Sequence, residues 1–226
     1  MRIPFPCDKC GPESRSWAFA EVNDSGVFQG SCSNGHEVRY RLSYEAPHEL
    51  LLDAGALAML DEYYRESVSS FAAALEQSFE FYVEASMVAA GIDGAAIKKL
   101  LSVNRFDQRR AGMVSASYLR DTGLPFPYLE SKRMEFRNRV IHNASWPTRE
   151  ETMEFADYVC RSVLGIHADL GPKMGTLLNL KDEQADVAAA EDLLAGRDAP
   201  ASLFARASFL SAFERSRQIG ARVSPS

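Results

Sequence analysis

The segment 130–144, ESKRMEFRNRVIHNA, concentrates the residues whose types and spacing could do chemistry. Placed on a helix of about 3.6 residues per turn, it has one apolar arc, formed by Met134, Phe136, Val140, Ile141 and Ala144. Arg137 falls inside this arc, where an unpaired guanidinium is costly, so it must meet a carboxylate, a phosphate or a second subunit. Asn138 and His142 are four residues apart and therefore lie together at the edge of the arc.

This trio suits phosphodiester chemistry. Cleaving RNA without a metal requires a proton to leave the 2′-OH, a proton to reach the departing 5′ oxygen, and positive charge near the phosphorane. Histidine titrates near neutrality, so His142 could transfer protons. Arg137 could bind a phosphate through two parallel N–H···O hydrogen bonds. Spacing alone favours a plainer alternative, in which Arg137 forms a structural ion pair and His142 is a hydrogen-bonded helix histidine.

The pattern Arg137-Asn138-x-x-x-His142 resembles the R-polar-x-x-x-H signature of the HEPN superfamily, which consists of compact helical domains found in many prokaryotic toxins and phage-defence proteins. The resemblance covers roughly residues 44–190. It implies a metal-independent endoribonuclease with Arg137, Asn138 and His142 in a composite site across a homodimer. It also implies products with a 2′,3′-cyclic phosphate and no metal in catalysis. RNA is the expected substrate, and an antitoxin or a defence-system protein is a candidate partner.

A non-catalytic function is the alternative. In that hypothesis the helical domain binds a nucleotide, RNA or another protein, and the N-terminal module provides a recognition surface. A weaker third hypothesis treats that module as the DNA-contacting element of a regulator, but Arg39 and Arg41 are the only basic residues close to its second cysteine motif.

The N-terminal residues 1–43 have the spacing of a small zinc ribbon. Cys7-x-x-Cys10 and Cys32-x-x-x-His36 form two motifs, and Asn23-Asp24-Ser25-Gly26 between them indicates a β-hairpin turn. A segment this short builds little core, so we expect a structural zinc ion bound by Cys7, Cys10, Cys32 and His36. Free cysteines and disulfides are the alternatives, and His48 is a less favoured ligand because it follows Pro47 at a helix start.

Charge is distributed unevenly along the chain. The formal net charge is −6, yet the segment from Lys98 to Arg149 has eleven basic and four acidic residues, which leaves −13 for the remainder. The motif therefore lies in the one strongly basic segment. We predict RNA-contacting roles there for Arg109, Arg110, Arg133 and Arg139.

The rest of the chain predicts a mainly α protein, with a HEPN-like helical bundle (44–196) after a small β-hairpin zinc ribbon and a basic amphipathic helical extension (197–226). The predicted helix from about Glu66 to Ala90 has an acidic stripe of Glu76, Glu80 and Glu84. We favour a solvated face for this stripe; in the alternative, one of these glutamates supports the site by pairing with Arg137. No signal peptide and no long apolar run is evident, so we expect a cytoplasmic protein without a membrane partner.

Overall fold

The computed structural model describes residues 2–10, 16–21, 27–42, 47–103, 107–181 and 201–203. These residues divide into two compact units. The first contains the described residues up to 42 together with 178–181 and 201–203, and the second contains 47–177. Most of the described chain is helical, and a small sheet lies at the N-terminus. None of the helices in these ranges is both long and apolar enough to cross a membrane.

The first unit is built on a sheet that has five strands within the described residues, in the order β1 to β5. The strands are β1 (Arg2–Pro6), β2 (Trp17–Glu21), β3 (Val27–Cys32), β4 (Glu37–Leu42) and β5 (Ala201–Leu203). The first four pair antiparallel, and β5 runs parallel to β4. In β2 the alternation seen in the sequence is real, because Ala18 and Ala20 are buried whereas Trp17 and Phe19 are exposed.

Antiparallel pairing of β2 with β3 confirms the predicted hairpin strands, although the turn itself lies outside the described residues. The structure adds β1, which the sequence did not predict. Two prolines remove donors from RIPFP, and such a segment is tolerated as a strand only at the edge of a sheet, which is where β1 lies.

The second unit is a helical bundle. Its helices are α1 (Pro47–Leu60), α2 (Tyr64–Ala89), α3 (Gly94–Val103), α4 (Asp107–Thr122), α5 (Ser131–His142) and α6 (Arg149–Leu170). The 26-residue α2 is the central element and packs against the other five. Its buried residues include Phe71, Leu75 and Tyr82, and α6, which packs against it, buries Phe155 and Ile166.

Local sequence signals set several helix ends. The predicted capping box at Thr148 is present: its hydroxyl accepts from the Glu151 N–H, and the Glu151 carboxylate accepts from the Thr148 N–H. The motif helix ends at His142 and not at Ala144. Ala144 has a φ of 53°, in the left-handed region, and therefore lies outside the helix.

Two expectations near the C-terminus differ from the structure. In the sequence, Gly171, Pro172 and Gly175 predict a loop, but residues 172–181 are helical. Gly171, with a φ of 49°, interrupts the helical backbone. The next helix begins at Pro172, and proline is well suited to the first position of a helix. We also expected a helix to begin near Ser202, where the structure has β5; the rest of that predicted helix lies outside the described residues.

Candidate active site and metal cluster

Contacts of the preceding loop and of the helix itself fix the position of α5. In the loop before it, the Tyr128 hydroxyl donates to Asp169 Oδ2 at 2.8 Å, and the Tyr128 carbonyl accepts from the Tyr158 hydroxyl at 2.8 Å. Within the helix, Phe136 packs against Phe155 of α6, with ring centroids 5.5 Å apart. Tyr128 and Phe136 therefore anchor the motif helix to α6.

Arg137 meets a carboxylate inside its own chain. Its Nη2 donates to Glu76 Oε1 across the α2–α5 contact, and its side chain is only 13% exposed. The requirement that an arginine in the apolar arc must find an anion is thus satisfied by the acidic stripe. The stripe is not a solvated face at Glu76, because this carboxylate lies between two helices.

The other end of the same guanidinium reaches the remaining motif residues. Arg137 Nη1 donates to Asn138 Oδ1 at 2.9 Å and lies 3.4 Å from His142 Nε2. An arginine can only donate, so His142 Nε2 is the acceptor in this contact, and its tautomer carries the proton on Nδ1. His142 and Asn138 are both exposed. The structure therefore brings the three motif residues together at a border between buried and exposed surface.

Arg110 of α4 completes this group. Its Nε lies 2.6 Å from Glu80 Oε1 and its Nη1 lies 3.5 Å from Glu76 Oε2, with the side chain 15% exposed. We predicted an RNA-contacting role for Arg110, but the geometry favours a positioning role, because the guanidinium faces the carboxylates of α2. Glu76 is shared between Arg110 and Arg137, so α2 holds α4 and α5 through one carboxylate.

The other residues that the sequence analysis assigned to the site lie around this group of ion pairs. Glu84 is half-buried two turns further along α2. Arg133 pairs with Glu154 at 3.2 Å and Glu130 at 3.8 Å, whereas Arg139 is exposed with its guanidinium 5.7 Å from the Phe136 ring centroid. Arg109 is exposed and donates to the Val103 carbonyl at 3.4 Å. Arg139 and Arg109 therefore present more cationic surface than Arg133.

Two residues near the site were missed by the sequence analysis. Arg65 Nη2 donates to the Ile141 carbonyl at 3.4 Å and so ties the last turn of α5 to α2. Trp146, four residues after His142, is 80% exposed. The available signal was an aromatic residue beside a proline just after the motif helix.

A second cluster lies in the first unit. Cys7, Cys10, Cys32 and His36 each offer one ligand atom, and these atoms all lie within 4.8 Å of one another. The Cys10 Sγ is 3.7 Å from Cys32 Sγ and 3.2 Å from His36 Nδ1. Tetrahedral zinc with Zn–S bonds of about 2.3 Å places neighbouring sulfurs about 3.8 Å apart. The four residues are therefore compatible with a zinc site, and His36 rather than His48 is the histidine of this group.

Two tight turns form the cluster. The Cys10 N–H donates to the Cys7 carbonyl at 3.3 Å, and the Gly35 N–H donates to the Cys32 carbonyl at 2.9 Å. Gly35 has a φ of 79°, which a side chain would strain. A hydrogen bond from Asn34 lowers the pKa of the Cys10 thiol to about 7. The turn thus favours the thiolate form that binds metals.

Comparison of the chain with protein-family models, with curated proteins and with solved structures finds no match.

Proposed function

We propose that the chain is a metal-independent endoribonuclease of the HEPN type, acting as a toxin or phage-defence effector. In this proposal RNA is cleaved by attack of its own 2′-OH, which leaves a 2′,3′-cyclic phosphate and a 5′-OH. The observation that carries the proposal is the contact of one guanidinium with both Asn138 and His142 while it is anchored on Glu76. The exposed imidazole of His142, which can act as an acid or a base, thus lies beside the guanidinium of Arg137, which Glu76 orients.

Each residue then has a defined task. His142 Nε2, which accepts from Arg137, is the nitrogen able to take the proton of the 2′-OH. Arg137 donates to the phosphate oxygens as negative charge develops on them. Asn138 Oδ1 accepts a hydrogen bond from the same Nη1 atom and so helps to orient the guanidinium. The exposed guanidiniums of Arg139 and Arg109 attract the RNA backbone.

The reaction needs an acid as well as a base, and one motif supplies one imidazole. We therefore propose a homodimer in which two motif helices face each other across a two-fold axis, so that the second His142 protonates the leaving 5′ oxygen. The exposed side chain of Trp146 beside the motif helix is suited to such an interface or to stacking on an RNA base.

The first unit has a structural part in this proposal. Zinc bound by Cys7, Cys10, Cys32 and His36 would have four protein ligands, which leaves no position for substrate or water. Such an ion stabilises the small sheet and does not take part in cleavage. An antitoxin or another defence-system protein is the proposed partner that restrains the activity.

One observation favours a second candidate, a non-catalytic RNA- or protein-binding domain. Arg137 and Arg110 are matched by Glu76 and Glu80, so much of the positive charge at the motif is neutralised within the subunit. Such an ion-pair network can exist for stability alone. To bind a phosphate, the Arg137 guanidinium would then have to move partly away from the Glu76 carboxylate.

Cleavage and binding by matched variants separate the two candidates. Wild type, Arg137→Ala, His142→Ala and the control Arg161→Ala would be incubated with a mixed RNA pool. Arg161 is an exposed arginine that pairs with Asp157 in its own helix. Cleavage by wild type and the control, with loss in both motif variants and retained RNA binding by His142→Ala, supports the ribonuclease. Binding without cleavage by any of the four proteins supports the second candidate.

A further inference from the structure

Two histidines far apart in sequence meet inside the second unit. His48 lies in the first turn of α1 and is fully buried, and His167 lies in the last turn of α6. Their Nε2 atoms are 2.8 Å apart, and the rings are nearly perpendicular, at 72°. Both rings also pack against Phe81 of α2, with centroid distances of 5.2 Å and 5.8 Å.

This arrangement turns the same nitrogen of each ring toward the other. Two imidazole nitrogens at this distance either share a proton in an N–H···N bond or direct their lone pairs at a common cation. A neutral imidazole in an apolar wall is the usual form of a histidine that binds a metal.

The neighbouring residue distinguishes the two alternatives. Glu49 follows His48 in the chain, and the ligand atoms of His48, Glu49 and His167 all lie within 4.8 Å of one another. A proton shared by two imidazoles needs no carboxylate, whereas a divalent cation between them gains a third ligand and a neutralising charge from it. Glu49 is partly exposed, so an ion could enter from its side.

We propose that His48, Glu49 and His167 form a second metal site, which binds a divalent ion of the first transition row such as zinc or cobalt. Calcium and magnesium are disfavoured because two of the three donors are imidazole nitrogens. Three protein ligands leave a coordination position open to water or to a small anion. The bound ion fastens the first turn of α1 to the last turn of α6, two segments 119 residues apart in the chain.

The site is independent of the proposed RNA cleavage, and its test uses the full chain supplied with one equivalent of zinc, which the four-ligand cysteine cluster takes in preference to a three-ligand site. Cobalt(II) would be added, and the visible d–d bands would be recorded together with the metal content per chain. We expect one cobalt per chain with d–d absorption but without the thiolate-to-cobalt charge-transfer band that a cysteine site produces. The melting temperature should rise with cobalt concentration.

Matched variants assign the signal. His167→Gln should lose the cobalt bands, and Glu49→Gln, a change at a partly exposed side chain, should weaken cobalt binding at least tenfold while the far-ultraviolet spectrum is unchanged. His142→Gln, at an exposed histidine of the same unit, should bind cobalt like wild type. The proposal is overturned if zinc-loaded wild type binds no cobalt, or if Glu49→Gln binds it with wild-type affinity.

Discussion

The Nη1 atom of Arg137 lies 3.4 Å from Nε2 of His142, while Nη2 of the same guanidinium is held by Glu76. One side chain thus connects the half-buried acidic stripe of α2 with an exposed imidazole on α5. The relationship explains why an arginine is tolerated in the apolar arc of the motif helix. It also makes Glu76, which lies 61 residues earlier in the chain, the residue that sets the direction of the motif arginine.

Replacing Glu76 with Gln should lower the rate of RNA cleavage and also lower the free energy of unfolding. The amide removes the negative charge that directs the Arg137 fork and leaves two guanidiniums, those of Arg137 and Arg110, with one carboxylate fewer. We expect a loss of about 1–3 kcal/mol in the free energy of unfolding. We also expect a fall in kcat with a smaller change in KM. Urea unfolding and steady-state cleavage would measure the two effects.

The matched control for this change is Glu66→Gln, at an exposed glutamate in the first turn of the same helix. It should alter neither quantity by more than the scatter of the measurement. A Glu76→Gln protein that cleaves RNA at the wild-type rate would show that this ion pair has no part in positioning Arg137.

Asp121 should make the second unit sensitive to acid. Its carboxylate is 7% exposed and is bonded by Lys173 at 2.8 Å, by Arg120, and by the hydroxyls of Ser86 and Tyr82. Burial opposes the charged form, but the hydrogen bonds from Lys173, Ser86 and Arg120 outweigh it and lower the pKa. The stabilisation is therefore present above the ordinary carboxyl range near pH 4 and is lost as pH falls through the lower folded-state pKa.

Unfolding of wild type and Asp121→Asn across pH 2.5–7 would check this sign. The variant should be about 1–3 kcal/mol less stable at pH 7, and the difference should shrink below about pH 4. A difference that stays constant down to pH 2.5 would mean that Asp121 keeps no depressed pKa in the folded protein.

The four cysteines should separate into two classes of reactivity. Cys160 is fully buried in α6, and burial raises the pKa of its thiol to about 12, so it should resist alkylation at neutral pH. Cys7, Cys10 and Cys32 should be protected while zinc is bound and react together after chelation. Iodoacetamide labelling followed by mass spectrometry would count the modified residues. Rapid labelling of the three before chelation would contradict a bound metal.

Trp146 should contribute to RNA affinity or to dimer formation and not to folding. It is 80% exposed, so Trp146→Ala should change the free energy of unfolding by less than about 0.5 kcal/mol. We expect KM for RNA to rise several-fold, or the dimer to dissociate at micromolar concentration. Analytical ultracentrifugation beside steady-state cleavage distinguishes the two effects. Wild-type values in both assays would remove Trp146 from the site.

Local signals predicted much of this structure. Periodicity located α2 to within a few residues, the capping box marked the start of α6, and cysteine spacing grouped Cys7, Cys10, Cys32 and His36. The helix signals are short-range, and the ligand spacing is the known spacing of zinc motifs, so a single sequence is enough to read them.

The misses have a different origin, because they depend on pairing between distant segments. Strand β5 exists only beside β4, about 160 residues earlier in the chain. His48 and His167 lie 119 residues apart in the chain, and neither local sequence indicated that they meet. The sequence left a carboxylate, a phosphate and a second subunit open as the partner of Arg137, and the choice of Glu76 required the packing of α5 against α2.

The most direct test of the proposed ribonuclease is analysis of RNA ends after incubation with the protein in magnesium-free buffer containing EDTA. Wild type should produce 2′,3′-cyclic phosphate and 5′-OH ends, and His142→Ala should produce none. An otherwise identical substrate with 2′-deoxy at the cleavage site should stay intact. Cleavage that requires added magnesium, that continues in His142→Ala, or that cuts the 2′-deoxy substrate would contradict the account.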